Sequence, residues 1–460
     1  MSAWTVSMKS VCALVCDEMS MLSPLDINLM DRRLRDLGGT KDRPADPFND
    51  LPIVILSGDL YQLPPVKAWS LYEGIFNVDQ ERGSPKFKSL SPIGQATTLE
   101  KYQAHNEGTS VYRTFFDKCI LLNENVRQKG DQPWRYLLKR VRVGRATERD
   151  VRFLNRHVRE ETELLRGVSP LADTWLTCKR FYPTVKMVMD EGSKMLFDAF
   201  PNLAERFDAS PIITLNGRRA EHKDILKYGS DVHRAGYPLH LAPGAPVMVT
   251  QNLKGAREWG IVNGSTGTVE GYITRDGVNA AFVLVKLDAV LEGMPPLVIN
   301  PDGEGSRPIV LRDTWPFAIM TTKKTVRPLG RTQGPCDEIV IRRFPLSLAY
   351  ALTIHKAQGM TVTHAIVDIK SDGKGGMGTG QLPYVAFSRV TASSGLWLRR
   401  EVSLDEVNRF ARSKDRDKLL GEMDRMEQCQ RRILEEMELV EEDNNVVAMV
   451  LAQEEIDGQM

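Results

Sequence analysis

An acidic pair, Asp17-Glu18, directly follows an apolar run from Val11 to Cys16. A hard cation such as Mg²⁺ prefers oxygen ligands, and a second carboxylate beside it can orient or deprotonate a water molecule. The pair therefore favours metal-assisted hydrolysis. Acidic pairs also end many strands without any catalytic role, so a purely structural interpretation stays open at this point.

A second polar group, nine residues from Gly58 to Val66, follows another apolar run, Ile53 to Leu56. Within it, Gln62 can contact a phosphate through its amide, and the Pro64-Pro65 pair stiffens the backbone that carries this side chain. The order of these nine residues is far more specific than an acidic pair. An ordinary proline-stiffened loop is the less favoured interpretation.

Two arginines have the chemistry of groups that neutralise a phosphate. Arg127 lies in the segment Leu121–Gln128 and offers a planar fork to phosphate oxygens. Taken without its context, it is better explained by a surface salt bridge. Arg389 ends an apolar stretch within Gly380–Val390, as is expected of an arginine that reaches a γ-phosphate.

A dense group of hydrogen-bond donors lies in the segment from Ala351 to Thr361. A hydroxyl, an imidazole, an ammonium and an amide share one turn after an apolar lead, from Thr353, His355, Lys356 and Gln358. Such a group can hold a phosphodiester backbone by charge and hydrogen bonds without identifying the bases. A glycine-rich stretch, Gly373 to Gly378, lacks the spacing of a phosphate loop and is interpreted as a flexible loop.

The elements that must position these residues follow from the apolar pattern. The runs Val11–Cys16 and Ile53–Leu56 are continuous, which predicts strands buried on both faces. Between them a helix is predicted from Pro24 to Leu37, with Ser23 as its N-cap and Gly38-Gly39 as its stop. Strand, helix and strand with polar residues at the carboxyl ends indicate a parallel α/β sheet with the site at that edge.

The remaining segments are predicted from the same patterns. Residues 70–115 are rich in Gly, Ser and polar residues and indicate an irregular excursion. Helices are predicted over Gln132–Arg142 and Thr147–Leu165, and a strand-to-helix passage over Pro211–Asn216 that leads into the basic segment Arg218–Lys227. Short alternating stretches predict a small antiparallel β module; they are Val247–Thr250, Gly267–Ile273, Ala281–Leu287 and Ile339–Arg343.

The tail from Leu404 to Val440 has the pattern of an amphipathic helix, with apolar residues at helical spacing on a charged background. These residues are Leu419, Met423, Met426, Ile433 and Met437. Packing on the chain's own globule is favoured over binding to a protein partner. The tail from Glu401 onward carries 17 acidic against 8 basic residues, whereas residues 1–400 have a net charge of +10. A basic body suits a polyanion, although uneven surface charge explains it equally well.

Length and composition set the class of protein. With 460 residues the chain predicts two or three domains, and 42% apolar with 26% charged residues is typical of globular proteins. No run approaches the roughly 20 apolar residues of a membrane span, and no signal peptide is visible. The six cysteines are mostly far apart, which disfavours metal pairs and a disulfide framework. We expect an intracellular protein without a membrane anchor.

These strings, in this order, resemble the motor core of the petite-integration-frequency family of DNA helicases, relatives of the RecD helicases in superfamily one. The resemblance runs from about Val11 to Leu398, and small departures such as Leu60 and Ala357 are conservative. It implies an α/β fold with tandem RecA-like P-loop NTPase lobes, the first incomplete, a small SH3-like β insertion and a C-terminal helical tail.

The resemblance also implies a role for each candidate residue. Asp17 would bind Mg²⁺, Glu18 would activate the attacking water, and Gln62 would sense the γ-phosphate. Arg127 and Arg389 would stabilise charge during phosphoryl transfer. The residues implied to contact ATP are Asp17, Gln62, Arg127, Gln358, Gly359 and Arg389; those implied to bind the nucleic acid are Thr353, His355 and Lys356.

One departure from the family is serious. The loop Gly-x4-Gly-Lys-Ser/Thr, which cradles the phosphates, normally precedes the Asp-Glu pair by several tens of residues. Only 16 residues precede Asp17, and no part of the chain supplies this motif. Either the chain is a truncated copy of a longer helicase or it is a degenerate paralogue. Little or no ATP turnover is expected of the chain as written, and an upstream extension with the loop should restore it.

The resemblance divides the chain into five parts: a partial first lobe (1–130), a second lobe (131–265 and 345–400), the β insertion (266–344) and the acidic tail (401–460). It predicts an ATP-dependent 5′-to-3′ helicase that moves on single-stranded DNA or a DNA fork in repair, recombination or telomere maintenance. A nuclear location is favoured, with mitochondrial and viral settings open. The alternatives are a non-catalytic remnant that binds single strands and, more weakly, a scaffold that recruits partners through its tail.

Overall fold

The helices and strands can be placed for most of the chain. A computed structural model describes residues 11–38, 47–66, 68–158, 178–207, 210–215, 218–219, 239–252, 260–274, 280–289, 317–320, 322–326, 339–370 and 380–436. The segments Gly373–Gly378, most of Arg218–Lys227 and Met437 lie outside the described residues.

The helices, in chain order, are α1 (Pro24–Gly38), α2 (Val78–Gly83), α3 (Pro85–Lys88), α4 (Pro92–Phe115), α5 (Gln132–Arg142), α6 (Glu148–Asn155), α7 (Val185–Ala199), α8 (Ile354–Ala357), α9 (Leu382–Phe387), α10 (Leu404–Val407) and α11 (Arg416–Glu436). Short 3-10 turns add to them at Met19–Met21, Pro47–Asp50, Ser393–Gly395 and Arg409–Arg412.

The strands are β1 (Ala13–Cys16), β2 (Ile53–Leu56), β3 (Lys179–Tyr182), β4 (Glu205–Phe207), β5 (Ser210–Leu215), β6 (Arg218–Arg219), β7 (Leu239–Leu241), β8 (Pro246–Val249), β9 (Thr266–Thr274), β10 (Ala280–Leu287), β11 (Phe317–Met320), β12 (Thr322–Val326), β13 (Ile339–Arg343), β14 (Leu346–Leu348), β15 (Ala351–Thr353), β16 (Ala365–Val367) and β17 (Leu396–Leu398).

Contacts between Cα atoms divide the chain into two compact units. Unit one comprises Met1–Arg159, Ala357–His364 and Ile369–Met460, and unit two comprises Glu160–Lys356 and Ala365–Asp368. The five-part division inferred from the sequence stays a prediction.

Unit one contains the parallel pair β1 and β2, in which Ala13 lies opposite Ile53 and Cys16 opposite Leu56. The prediction that both strands are buried on both faces is wrong. One face packs on the core through Leu14, Val54 and Leu56. On the other face, Val15 is 62% exposed and Ile55 is 46% exposed. The continuous apolar run predicted the strands correctly, but a run of this kind cannot tell whether a second layer covers the sheet.

The helix after β1 forms where the sequence predicts it. Ser23 donates its backbone N–H and its hydroxyl to Asp26 Oδ2, at 2.8 and 2.6 Å, and its Oγ accepts from the Asp26 N–H at 3.3 Å. This reciprocal cap fixes the first turn of α1. Ile27, at 0% exposure, and Leu34 then face the core of unit one.

The prediction of an irregular excursion over residues 70–115 is wrong, because α2, α3 and the long helix α4 fill most of it. Ser91 caps α4 by accepting the Gly94 N–H, and Pro92 occupies the first turn. Few α4 residues are buried, and two of those are Gly108 and Thr109, so the helix lacks the apolar stripe that makes a helix recognisable.

A second boundary also differs from its prediction. Helix α6 begins where expected, with Thr147 and Asp150 forming a capping box, but it ends at Asn155 rather than Leu165. The Asn155 amide exchanges two hydrogen bonds with the backbone of Val402, donating at 3.0 Å and accepting at 2.9 Å. Residues 159–165 lie outside the described residues.

The core of unit one includes the tail helix. Leu419 of α11 is fully buried beside Tyr61, Tyr112 and Phe410. Tyr112 donates its hydroxyl to Glu422 Oε1 at 2.8 Å, and burial raises the pKa of this tyrosine, so that it stays a donor. Packing of the tail helix on its own globule is therefore confirmed for α11.

Unit two contains the predicted antiparallel module. Five strands pair in the order β11-β10-β9-β8-β14 over a core of Val247, Val249, Val269, Val283 and Val285. The alternating stretches predicted three of these strands, β8, β9 and β10, whereas β11 and β14 were not predicted. The fourth stretch, Ile339–Arg343, forms β13, which pairs with β12 and β5 in a separate sheet. The strand-to-helix passage at Pro211–Asn216 is wrong, because β5 pairs antiparallel with β13 and with β6.

Three further strands of unit two are parallel and pair in the order β15-β3-β16. In the sequence, helix α7 follows β3 and helix α8 follows β15. Parallel strands alternating with helices in both units confirm the α/β class. Within the described residues, no helix combines the length and the apolar character that crossing a bilayer requires.

Candidate functional site

The candidate site of unit one forms at the carboxyl ends of β1 and β2. Because the two strands are parallel, the residues that follow them, Asp17-Glu18 and Ser57-Gly58-Asp59, emerge side by side. Two backbone hydrogen bonds extend the pairing past the strands: Ser57 N to Cys16 O and Met19 N to Ser57 O, both 2.8 Å. The prediction of polar groups meeting at this edge is confirmed.

Asp17 is held as an ionised carboxylate. Its Oδ1 accepts the Ser57 hydroxyl at 2.6 Å and the Glu18 N–H at 2.8 Å, and these bonds lower the pKa of Asp17, the bond from Ser57 contributing most. The Asp17 side chain is exposed. A single ionised carboxylate with an open oxygen fits Mg²⁺ that is otherwise held by water and substrate phosphates. Among the described residues, no three His, Cys, Asp or Glu side chains gather into a metal site.

Glu18 has a strained backbone. Its φ of 55° and ψ of 45° lie in the left-handed region, which costs a residue with a side chain on the order of 1–3 kcal/mol. Gly58 makes this turn feasible, because a Cβ at its φ of 145° would lie 2.7 Å from Met19 N. A conformation of this kind persists only where the surroundings impose it, and such positions cluster at functional sites.

Gln358 imposes part of this geometry. Its Nε2 donates to Glu18 Oε2 at 2.8 Å and to Ser20 Oγ at 3.0 Å, while its Oε1 accepts the Leu63 N–H at 3.1 Å. The next residue, Gly359, has a φ of 81°, and a Cβ there would lie 3.0 Å from Glu18 Oε1. Gln358 and Gly359 therefore lie beside Glu18, and their contact with ATP stays a prediction.

Gln62 has an unused hydrogen-bonding position. Its backbone N–H donates to Asp59 O at 2.8 Å, which fixes the turn after β2. Its side-chain Oε1 is buried, and no atom of the described residues donates a hydrogen bond to it. Buried polar atoms are nearly always satisfied, so this position indicates a place for a further polar group. A half-turn of the amide exchanges its oxygen and nitrogen, so the same position can offer an N–H to a phosphate oxygen.

The two arginines lie near each other, and within the described part of the chain neither has an acidic hydrogen-bond partner. Arg127 donates to Thr361 Oγ1 at 2.9 Å and to Ser388 O at 3.3 Å, so the salt-bridge explanation of this residue finds no support. Arg389 is 1% exposed and donates to Val385 O, Met360 O and Ser388 Oγ.

The charge of Arg389 is poorly compensated. Burial, and after it the nearby cation of Arg127, lower the pKa of Arg389 to about 10. Tyr384, Glu18 and Asp59 offset this only in part. A group with several negative charges would relieve both cations, so this end of the site has the electrostatics of an oxyanion pocket.

Several residues that contribute to the site were quoted in the motifs without a role. Gln128 is buried and donates from Nε2 to Ser388 O and Val390 O, at 3.1 and 2.9 Å, which joins the segments carrying Arg127 and Arg389. Its position directly after Arg127 is the one signal that the sequence offers. Hydrogen bonds spanning 260 residues leave no trace in local spacing.

Asp59 is a second such residue. Its carboxylate accepts from Arg142 Nη2 at 2.8 Å, from Tyr384 Oη at 2.9 Å and from the Tyr61 N–H at 3.0 Å. The Arg142 guanidinium also lies 4.1 Å above the Tyr61 ring. Asp59 therefore fixes three elements around Gln62: its own loop, helix α5, and helix α9, which precedes Arg389.

The three residues implied to bind a nucleic acid lie in unit two. Thr353 ends β15 and accepts the Lys356 N–H at 3.4 Å. Lys356 is exposed, and its Nζ lies 3.9 Å from Met248 Sδ. Burial lowers the pKa of His355, so the imidazole is neutral at pH 7 and can donate one hydrogen bond. The predicted contact of these residues with a nucleic acid stays a prediction.

No protein-family model matches the chain. In sequence, it is 26% identical over 423 residues to the uncharacterized protein 030L of Invertebrate iridescent virus 6, covering 85% of this chain and 72% of the viral protein. It is 25% identical over 458 residues to the ATP-dependent DNA helicase Pif1 of Psychrobacter, covering 93% of this chain and 60% of the helicase.

Solved helicase structures have the same fold. The Pif1 helicase of Candida albicans matches with a TM-score of 0.52 at 22% identity, covering 88% of this chain and 75% of that one. A Bacteroides Pif1 in complex with ADP-AlF3 and ssDNA matches with a TM-score of 0.54 at 20% identity and the same coverage. The predicted fold with tandem RecA-like lobes and the predicted resemblance to this family are both confirmed.

Proposed function

We propose that this chain is an ATP-dependent DNA helicase of the Pif1 type that couples ATP hydrolysis to movement along single-stranded DNA. The observation that carries the proposal is the buried guanidinium of Arg389 beside Arg127; among the described residues, the acceptors of both arginines are all neutral. Two cations without acidic hydrogen-bond partners, in the unit that carries Asp17 and Glu18, suit a magnesium-bound triphosphate. The similarity to helicases named Pif1 supplies the reaction class.

Each side chain would then act at a stated atom. Asp17 would hold Mg²⁺ through its open oxygen, and the ion would supply charge neutralisation between the phosphates. Glu18 would accept the proton of the attacking water, and the unused amide position of Gln62 would contact the terminal phosphate. Arg127 and Arg389 would stabilise the charge that develops as the phosphoryl group leaves.

The nucleic acid would be bound in unit two. Thr353, His355 and Lys356 offer a hydroxyl, a neutral imidazole and an ammonium within four residues, and such donors grip phosphates without selecting bases. We propose single-stranded DNA or a DNA fork as the partner, with 5′-to-3′ movement by resemblance, in repair, recombination or telomere maintenance. The nucleus is the proposed location, and the similarity to an iridovirus protein keeps a viral setting open.

A second candidate function is supported by the sequence itself. No segment of the chain has the spacing Gly-x4-Gly-Lys-Ser/Thr, so the backbone nest and lysine that normally hold the phosphates are not supplied by it. Without them the chain would bind single strands but hydrolyse ATP slowly or not at all. A non-catalytic strand-binding protein would hold oligo(dT) equally well with and without magnesium and nucleotide.

The decisive experiment measures DNA binding and DNA-stimulated ATP hydrolysis on the chain and on Glu18→Gln. The proposal predicts that a magnesium-bound nucleotide changes the affinity for oligo(dT) and that Glu18→Gln abolishes any stimulated turnover. Hydrolysis that Glu18→Gln leaves unchanged would contradict the proposed site. If the affinity for DNA is the same with and without the nucleotide, the chain is a non-catalytic strand-binding protein instead.

A further inference from the structure

We propose that Gln358 is a positioning residue that sets the direction of the Glu18 carboxylate. The inference rests on the proposed function for the role of Glu18 as the base. It assigns Gln358 to the acidic side of the site, as the residue that aims the base, rather than to contact with the nucleotide.

The Gln358 amide is fully used inside unit one. Its two N–H groups go to Glu18 Oε2 and Ser20 Oγ, and its oxygen accepts the Leu63 N–H. One side chain therefore joins the carboxylate after β1, the 3-10 turn that follows, and the loop after β2. Because both N–H donors of this amide already bond to protein atoms, none remains to contact a phosphate. We therefore infer that Gln358 positions Glu18 rather than the nucleotide.

We call these three hydrogen bonds of the Gln358 amide the clamp; the backbone conformation of Glu18 makes it necessary. Glu18 has left-handed φ and ψ angles, so its side chain leaves the backbone in a direction that the strand alone does not fix. Gly359 closes the other side, because a Cβ there would lie 3.0 Å from Glu18 Oε1. One carboxylate oxygen is thus held by a donor while the other faces a glycine that leaves it room.

Gln358 is also hydrogen-bonded to the loop after β2, which carries Gln62. Leu63, whose N–H the Gln358 oxygen accepts, directly follows Gln62. A shift of the loop that carries Gln62 would therefore move Gln358, and with it the hydrogen bond to Glu18. Gln358 comes directly after α8, the helix that contains His355 and Lys356 in the sequence.

A charge-swap experiment tests the clamp without any need for ATP turnover. Gln358→Glu keeps the shape of the side chain but sets a second carboxylate against Glu18 and removes both donors. We expect a lower midpoint of thermal unfolding at pH 7.5. Adding Glu18→Gln restores a donor–acceptor pair, with the donor now at position 18. The double variant should therefore recover at least half of the decrease in the midpoint of thermal unfolding. Gln103→Glu, the same change at an exposed position of α4, is the matched control and should leave the midpoint unchanged.

The outcomes are distinguishable. Rescue in the double variant supports the clamp, and so does a single variant that fails to fold while the double variant folds. A double variant as unstable as Gln358→Glu overturns it. Binding of a magnesium-bound ATP analogue to the same proteins is measured in parallel. Rescue without nucleotide binding by the original chain would remove the proposed function and leave the clamp, whereas binding without rescue would remove the clamp alone.

Discussion

The half-buried side chain of Gln62 and the buried side chain of Gln128 differ in how well their polar atoms are satisfied, and this difference predicts opposite effects of one substitution. The side-chain oxygen of Gln62 has no partner, whereas the amide of Gln128 donates to Ser388 O and Val390 O. We expect Gln62→Leu to stabilise the nucleotide-free chain by about 1 kcal/mol, because an unsatisfied buried polar atom is removed. The same change should weaken binding of an ATP analogue. Urea unfolding and equilibrium titration measure the two effects.

Gln128→Leu is the matched control for that substitution. It leaves two backbone carbonyls without their donor, so it should destabilise the chain by about 1–3 kcal/mol. If Gln62→Leu is as destabilising as Gln128→Leu, the position we assign to a phosphate is an ordinary part of the packing.

A buried histidine predicts how stability depends on pH. His105 is 0% exposed, lies 4.5 Å from the Phe76 ring between centroids, and its Nε2 is 3.0 Å from Gly74 O. Burial lowers the pKa of His105 below its ordinary value of 6.5. The unfolded chain therefore binds a proton at a higher pH than the folded one, so this contribution is present above pH 6.5 and is lost as the pH falls.

His105→Gln separates this effect from the rest of the acid response, because glutamine can still donate to Gly74 O but does not titrate. Between pH 7.5 and 5.0 we expect the free energy of unfolding, measured with urea at each pH, to fall more in the original chain than in the variant, by up to about 1.4 kcal/mol per pH unit. Parallel curves for the two proteins would show that His105 protonates freely in the folded state.

The residue types and spacings identified most of the candidate residues but not their connections. Asp17, Glu18, Gln62, Arg127 and Arg389 were predicted from their motifs, and the structure places them all in unit one. The roles of Asp59, Arg142 and Tyr384 could not be predicted, because the Tyr384 hydroxyl and Asp59 are separated by 325 residues. Only the folded chain shows that these motifs share hydrogen bonds.

At the scale of elements, the close approach of α1 and α4 depends on one glycine. A Cβ at Gly108 would lie 1.8 Å from Pro24 O, the first residue of α1. Gly108→Ala must push the two helices apart, and overpacking of this kind costs about 1–3 kcal/mol or more. Because α1 and α4 share the core of unit one, the free energy of unfolding in urea should fall by at least that amount.

Gly83→Ala is the corresponding control, since a Cβ at Gly83 has nothing within 4 Å. It should leave the free energy of unfolding within about 0.5 kcal/mol of the original value. Equal stability for both variants would mean that α1 and α4 do not meet at this point.

The elements that the sequence predicted correctly are those with a strong local signal. The apolar runs predicted β1 and β2, and Ser23 with its helix-forming neighbours predicted α1. Helix α4 escaped prediction because its buried positions are His105, Gly108, Thr109 and Tyr112 rather than a stripe of Leu and Ile. At Pro211–Asn216 a strand leading into a helix was predicted. The strand β5 forms, but it pairs antiparallel with β6 and with β13, and local spacing cannot reveal a partner so distant in the sequence.

At the scale of the whole molecule, the α/β class followed from alternating apolar runs, and the similarity to solved helicases confirms it. The boundaries of the two units could not be predicted. The short segment Ala357–His364 belongs to unit one, although the residues on both sides of it belong to unit two. The tail helix was predicted to pack on the chain's own globule. Leu419 and Glu422 confirm this for α11, which is part of the core of unit one.

We propose that Arg127 and Arg389 bind the same triphosphate as the carboxylates of unit one. Equilibrium binding of a magnesium-bound fluorescent ATP analogue to Arg127→Ala, Arg389→Ala and the double variant tests it most directly, with the exposed Arg152→Ala as control. We predict a loss of about tenfold or more for each single variant, equivalent to about 1.4 kcal/mol. The double variant should lose less than the product of the two, because both cations act on one group. Unchanged affinity in both single variants, with Arg152→Ala indistinguishable from them, would contradict the account.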